Sequence, residues 1–154
     1  MKNDICYSAT NVKMLGLNAG VVYGPLASTH HAIDDISIMS GFGTVQILAP
    51  CDEVEASQMI DYAASVDGPV YIRLDNAKFP VVHDASYRFK PGRPDVLIEG
   101  SKVAVIALGS VIGEALDVCM RNAAKRGRCE SDARQSLIAE ASGSGCAGID
   151  HSAS

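Results

Sequence analysis

The chain has 154 residues, 47% of them hydrophobic and 20% charged, with a formal net charge of −5. That length holds one domain, or one and a piece, and the apolar content suffices for a core, which excludes wholesale disorder. An acidic balance with no run of Lys or Arg excludes a nucleic-acid footprint, and no apolar stretch reaches membrane-spanning length.

No apolar signal segment follows Met1-Lys2-Asn3-Asp4, so a soluble protein of the cytoplasm is expected. The cysteines, Cys6, Cys51, Cys119, Cys129 and Cys146, are scattered without a CxxC pair. Neither a zinc knuckle nor a disulfide framework is indicated, and buried reduced thiols are expected.

Val12-Lys13-Met14-Leu15-Gly16-Leu17 is a short apolar run ending at Asn18-Ala19-Gly20, the pattern of a buried strand followed by a loop. Thr29 is placed to cap a helix whose Ile33, Ile36 and Met39 or Ser40 fall near a 3–4 repeat, closed by Gly41-Phe42-Gly43. Thr44–Ala49 predicts a second strand, stopped by Pro50. Asp52 and Glu55 have capping-box spacing, and the helix they start would carry Val54, Met59, Ile60 and Ala63 on one side. Asp67-Gly68-Pro69 turns the chain into a third strand, Val70–Leu74. This alternation predicts an α/β fold, a parallel sheet with helices on both faces.

From Pro80 to Gly100, prolines and glycines sit among basic residues, as in an interdomain linker. Lys102–Gly109 is the clearest strand, and Ser110 is placed to cap a helix carrying Ile112, Ala115, Leu116, Cys119 and Ala123 and ending at Gly127. Residues 128–154 break the pattern and can bury little surface, so a mobile tail is expected there. The expected organisation is a first domain over 1–85, a linker over 86–99, the start of a second α/β domain over 100–127, and the tail.

Three blocks in order carry more than any one alone: Ser28-Thr29-His30-His31-Ala32-Ile33-Asp34-Asp35-Ile36, Leu48-Ala49-Pro50-Cys51-Asp52-Glu53-Val54-Glu55 and Asp67-Gly68-Pro69-Val70-Tyr71-Ile72-Arg73-Leu74. Together they resemble the pyrimidine-binding domain of transketolases and of their split C-terminal sections, which use thiamine diphosphate. The match runs from about Asn3 to about Lys125. It begins inside the family's domain, which implies a chain truncated at both ends. By the same resemblance, 1–85 would be a partial pyrimidine-binding domain (the thiamine diphosphate-binding fold) and 100–127 the start of the transketolase C-terminal domain.

The resemblance implies transfer of a two-carbon ketol unit between sugars, often sugar phosphates, with thiamine diphosphate as cofactor. That cofactor needs a buried glutamate on its pyrimidine nitrogen, and in the family this residue lies upstream of where the chain begins. The family's Gly-Asp-Gly and later Asn have no counterpart. Cofactor-binding residues are therefore unassigned, no metal site is expected in this chain, and a divalent metal would come from a missing domain or a partner. His30 matches the family's Thr-His position, where an imidazole reaches the reacting carbons and shuttles protons; it is the expected catalytic residue and also a substrate-binding one. By itself it would pass for a polar residue at a helix start, and His31 stays unassigned.

Where the family has a phosphate-binding His, a hydroxyl-binding Asp and a phosphate-binding Arg, this chain has Asn18, Leu26 and Asn76. Asn18, Arg73 and Asn76 complete the substrate-binding candidates. Because charge-assisted bonds are about twice as strong as neutral ones, the changes imply a different or unphosphorylated sugar. Arg73, on a strand of a buried sheet, equally suits a structural ion pair. Asp34 and Asp35 read as exposed acids favoured by a helix dipole. Gly109-Ser110, at a strand-to-helix junction, could hold an anion on helix N–H groups, but a structural role is preferred.

The resulting expectation is a transketolase-like subunit, inactive by itself, completed by an N-terminal transketolase-like chain or by self-dimerisation. The alternative is a non-catalytic remnant or interaction module that binds such a partner. Either way, a parallel sheet lacking its first strands exposes an edge and an apolar face that must be covered.

Overall fold

Strand β3, Val70–Arg73, is flanked by β1, Lys13–Gly16, on one side and β2, Gln46–Leu48, on the other, all parallel. Lys13 and Gln46 both pair with Val70, and Leu15 and Leu48 both pair with Ile72. Side chains alternate between the faces, as a period of two requires. Leu48, Val70 and Ile72 pack with Met59 and Ala63 of α2, Glu53–Ser65. Ile47 and Tyr71 meet Val45, Met39 of α1 (Asp35–Ser40) and Cys6 of a π-helical turn at Lys2–Tyr7. The chain thus adopts the expected parallel sheet with helices on both faces. The computed structural model describes residues 1–76, 78–99, 103–125 and 133–137. No helix among them is long and apolar enough to cross a membrane.

The capping box at the start of α2 forms. Asp52 Oδ1 accepts from Glu55 N at 2.8 Å, while Glu55 Oε2 accepts from Cys51 N at 2.9 Å, one residue earlier than the usual reciprocal bond. Glu55, Met59 and Ala63 then form the buried stripe. Ile60 was expected on that side but is 44% exposed, because one residue past Met59 is about 100° round the helix.

Thr29 caps no helix. Ser28–His30 is a 3₁₀ turn in which Thr29 Oγ1 donates to Leu26 O, and α1 begins only at Asp35. The reason is an antiparallel bridge: Gly20 N donates to Ala32 O at 3.0 Å and Ala32 N to Gly20 O at 2.9 Å. Those bonds hold Ala32 away from the helix, and Ile33 stays 73% exposed.

Strand β4, Val103–Ala107, leads through a 3₁₀ turn at Gly109–Val111, which contains Ser110, into α3, Ile112–Lys125. Residues 133–137, within the segment given no strand from sequence, form β5 and pair in parallel with β4. A strand ladder needs only backbone donors and acceptors, so an edge can recruit residues of low strand propensity. The expected end of α3 at Gly127, and the tail at 128–132 and 138–154, lie outside the described residues. Cys6, Cys51 and Cys119 are free buried thiols, as expected; Cys129 and Cys146 also lie outside.

The second unit meets the first at Cys51, which packs with Ala107 and Ile112 and with Val82 and Leu97 of the intervening segment. Gly109 sits there at φ +68°, a conformation side chains disfavour. A Cβ at this position would point at Ala49 and the carbonyl of Pro50. The Gly109-Ser110 corner is thus a packing joint.

Candidate functional site

The loops after β1 and β3 meet at the carboxyl ends of the strands, where open α/β sheets bind ligands. Leu74 N donates to Gly16 O at 2.7 Å and Ala19 N to Leu74 O at 3.3 Å. The Gly20–Ala32 bridge then lays the His30–Ala32 stretch beside Asn18–Gly20. Arg73 locks the crossing from below: Nη2 donates to Ala32 O at 3.1 Å and Nε to Asp35 Oδ2 at 2.9 Å. Tyr71 Oη donates to the same carboxylate oxygen at 2.9 Å. Burial first, then Asp35, pushes the Tyr71 phenol up to about 12.

Three of the four expected site residues therefore share one corner. Asn18 follows β1 at φ 63°, with its Oδ1 buried and unpaired. His30 is exposed, its Nδ1 3.0 Å from Thr29 Oγ1 and its ring edge-on to Tyr23. Arg73 takes the ion-pair role with Asp35. Asn76 stands exposed beyond the strand, its N–H bonded to Asp75 Oδ1. Asp35 is a correction: its side chain is only 15% exposed and binds Arg73 and Tyr71, so it is no dipole-stabilised surface acid. His31, unassigned from sequence, also carries a buried unpartnered nitrogen, Nε2. Two unmade polar contacts at one corner mark a place where further groups can bind.

A second polar cluster was missed from sequence. Asp52 Oδ2 accepts from Val82 N at 2.8 Å and His83 N at 2.7 Å, with His83 Nδ1 at 3.1 Å. Burial pushes the Asp52 carboxyl up, but the N–H bonds from Glu55, His83 and Val82 outweigh it and hold it below the usual range. Cys51 Sγ lies 3.7 Å from the same Nδ1. A thiol and a carboxylate on one ring nitrogen cannot work as a relay, which needs both nitrogens. Burial, then Glu55 and Asp52, drives the thiol well above its ordinary range, so it is no nucleophile. Sγ, Nδ1 and a carboxylate oxygen lie within 4.8 Å of one another, the spacing of a cation site. Both Asp52 oxygens are already taken by backbone donors, so the carboxylate needs no ion, and His83 Nε2 is left buried without a partner. Only the Asp52–Glu55 spacing hinted at it; His83 enters from 31 residues away.

Thiamine diphosphate, implied by the resemblance, requires a buried carboxylate with a free oxygen. Among the inward-facing carboxylates described, Asp52 and Glu55 have both oxygens engaged, by Glu55 N, Val82 N and His83 N and by Cys51 N and Tyr87, while Asp35, bound through Oδ2 by Arg73 and Tyr71, already has its charge answered by a guanidinium. The described residues by themselves do not fit this cofactor, and no step is derived through it.

Residues 1–81 match the family described as transketolase, pyrimidine binding domain. The chain belongs to this transketolase family. It is 53% identical over 125 residues to a subunit of the apulose-4-phosphate transketolase of Actinobacillus succinogenes, covering 81% of this chain and 40% of that protein. The subunit of the same description in Phocaeicola vulgatus is 34% identical over 116 residues, covering 75% and 37%. This transketolase-family chain thus spans about 40% of the length of those relatives. Among solved structures, a split gene transketolase in an inactive beta4 tetramer superposes with TM-score 0.78 at 34% identity, covering 90% of this chain and 43% of that one. The transketolase from Leishmania mexicana gives TM-score 0.74 at 16% identity, over 88% and 20%, a likeness of fold.

Proposed function

We propose that this chain is part of the subunit of a split transketolase that carries the pyrimidine-binding domain, and that the assembled enzyme moves a two-carbon ketol unit between sugars with thiamine diphosphate and a divalent metal. The observation that carries the reading is the corner of Asn18, His30 and Arg73 in a chain 53% identical to a transketolase subunit. His30 reaches the reacting carbons, Asn18 and Asn76 contact the sugar, and Arg73 holds the His30–Ala32 stretch over the strand ends. The donor is a ketose phosphate of the apulose 4-phosphate class, bound through neutral amides where other transketolases use charged groups. Cofactor and metal are gripped mainly by an N-terminal transketolase-like chain or a second copy. The reading carries with it a cytoplasmic location, and a first domain over 1–85, a linker over 86–99 and a second domain from 100.

A second reading, a non-catalytic module that binds a transketolase-like partner, is favoured by the exposed Leu15, Leu17, Val21, Val22, Leu26 and Ile33 and by the inactive tetramer of the similar split-gene protein. The test mixes the chain with the N-terminal section of a split transketolase, thiamine diphosphate, magnesium, apulose 4-phosphate and an aldose acceptor. Turnover by the mixture and not by the chain alone is expected. Turnover by the chain alone would overturn the two-chain reading, and a stable complex without turnover would leave the binding module.

A further inference from the structure

Glu55 is fully buried, and beside it Tyr87 Oη contacts two carboxylates, Glu55 Oε1 at 3.1 Å and Asp95 Oδ2 at 2.9 Å. A phenol has one proton to donate. With both carboxylates charged, one oxygen would face the phenol's lone pairs across 3 Å or so with nothing between them. Proton counting across the three groups therefore requires one more hydrogen.

We propose that Glu55 keeps a proton in the folded protein and donates it to Tyr87 Oη, which donates in turn to Asp95, fastening the 82–95 strap onto the start of α2 as a pH-sensitive clasp. Asp95 is partly exposed while Glu55 is not, and burial disfavours the charged form, so the proton belongs on Glu55. Glu55 Oε2 accepts from Cys51 N, which leaves Oε1 to carry the hydrogen. Burial pushes the Glu55 carboxyl up, and bonds from Cys51 and Tyr87 and the nearness of His83 only partly oppose it. The groups facing it are Cys51 and Asp52 before α2, His83 and Tyr87 on the strap, and Asp95 behind Tyr87. Of these Asp52 is already saturated by N–H donors and His83 stacks on the Tyr87 ring at 3.8 Å.

The strap matters because Val82 and Leu97 pack with Cys51 and Ile112 where the two sheets join. Gln58 Nε2 also donates to Tyr87 O and Gln58 Oε1 accepts from Phe89 N, so α2 grips the strap beyond the clasp. Losing the proton loosens the joint without unfolding either sheet.

The sign follows from linkage: a folded value above the ordinary 4.5 means stability is present below 4.5 and lost as pH rises to the folded value. In that window the opening constant of the strap rises by up to about tenfold per pH unit, one proton's worth. The experiment is amide exchange of residues 82–95 in the full chain across pH, corrected for intrinsic rates, with infrared detection of a protonated carboxyl. Wild type should show the slope and the acid band. Glu55→Gln, an amide that still donates to Tyr87 and accepts from Cys51, should lose both while folding normally. Asp95→Asn should keep the acid band. An unchanged slope in Glu55→Gln, no acid band in wild type, or a band lost only in Asp95→Asn would overturn the proposal.

Discussion

Arg73 Nε stands 2.9 Å from Asp35 Oδ2 while its Nη2 holds Ala32 O, so one guanidinium joins the end of a central strand to the helix start and to the loop bearing His30. Asp35→Asn or Arg73→Met should lower stability by roughly 1.5–3 kcal/mol, the range for hydrogen bonds to charged groups. Amide exchange should speed up at Gly20 and Ala32, whose bridge Arg73 supports. Urea unfolding and exchange measure the two effects. Loss of stability with an unaltered bridge would separate Arg73 from the loop.

Gly16 leaves room for the Tyr71 phenol: a Cβ there would come within 2.2 Å of Tyr71 Oη. Gly16→Ala should push the hydroxyl off Asp35 and return its titration from about 12 toward 10.0. The folded value is raised, so this group's contribution to stability is complete below 10.0 and lost as pH rises toward about 12. Phenolate absorbance, wild type against variant, reads the shift.

Asp52 caps α2 and holds two strap amides at once. Asp52→Ala should cost the ~1 kcal/mol of a lost N-cap and a further ~1–3 kcal/mol for buried donors left unmade. Its folded value is depressed, so the contribution exists above the ordinary 3.8 and is lost as pH falls through the lower folded value. Unfolding midpoints below 3.8 should fall more steeply in wild type than in Asp52→Asn.

His30 is exposed, so His30→Ala should change stability by no more than about 0.5 kcal/mol. In the reconstituted enzyme it should lower turnover by about 10²-fold or more, the worth of a positioned acid–base group. Undiminished turnover would remove His30 from the chemistry.

Legibility followed the range of the interactions. Strands β1, β2, β3 and β4 and helix α2 announce themselves through apolar runs and a cap, both within a few residues. The helix expected from Thr29 failed because its first turn is spent on a bridge to Gly20, which no local pattern encodes. Ile60 failed by about 100° of helix rotation, and residues 133–137 join an edge that asks nothing of their side chains. At the candidate site, His30 and Arg73 were singled out from the three blocks and Asn18 from its place in the family's pattern, while their meeting at one corner depends on contacts between distant segments. Asp35 was misread because its partner lies 38 residues away.

By itself, the sequence determined the alternation of strands and helices and the two-faced sheet, which rest on periodicity and short spacings, and the transketolase resemblance, which rests on three residue blocks in order. The tertiary structure alone decided that Arg73 answers Asp35, that Ala32 is held by Gly20, and that buried Asp52, Glu55 and His83 join the partly exposed Tyr87 and Asp95 in one network. Those partners are set by which crossover brings which segments together. A buried charge or donor must find a partner wherever the packing places one.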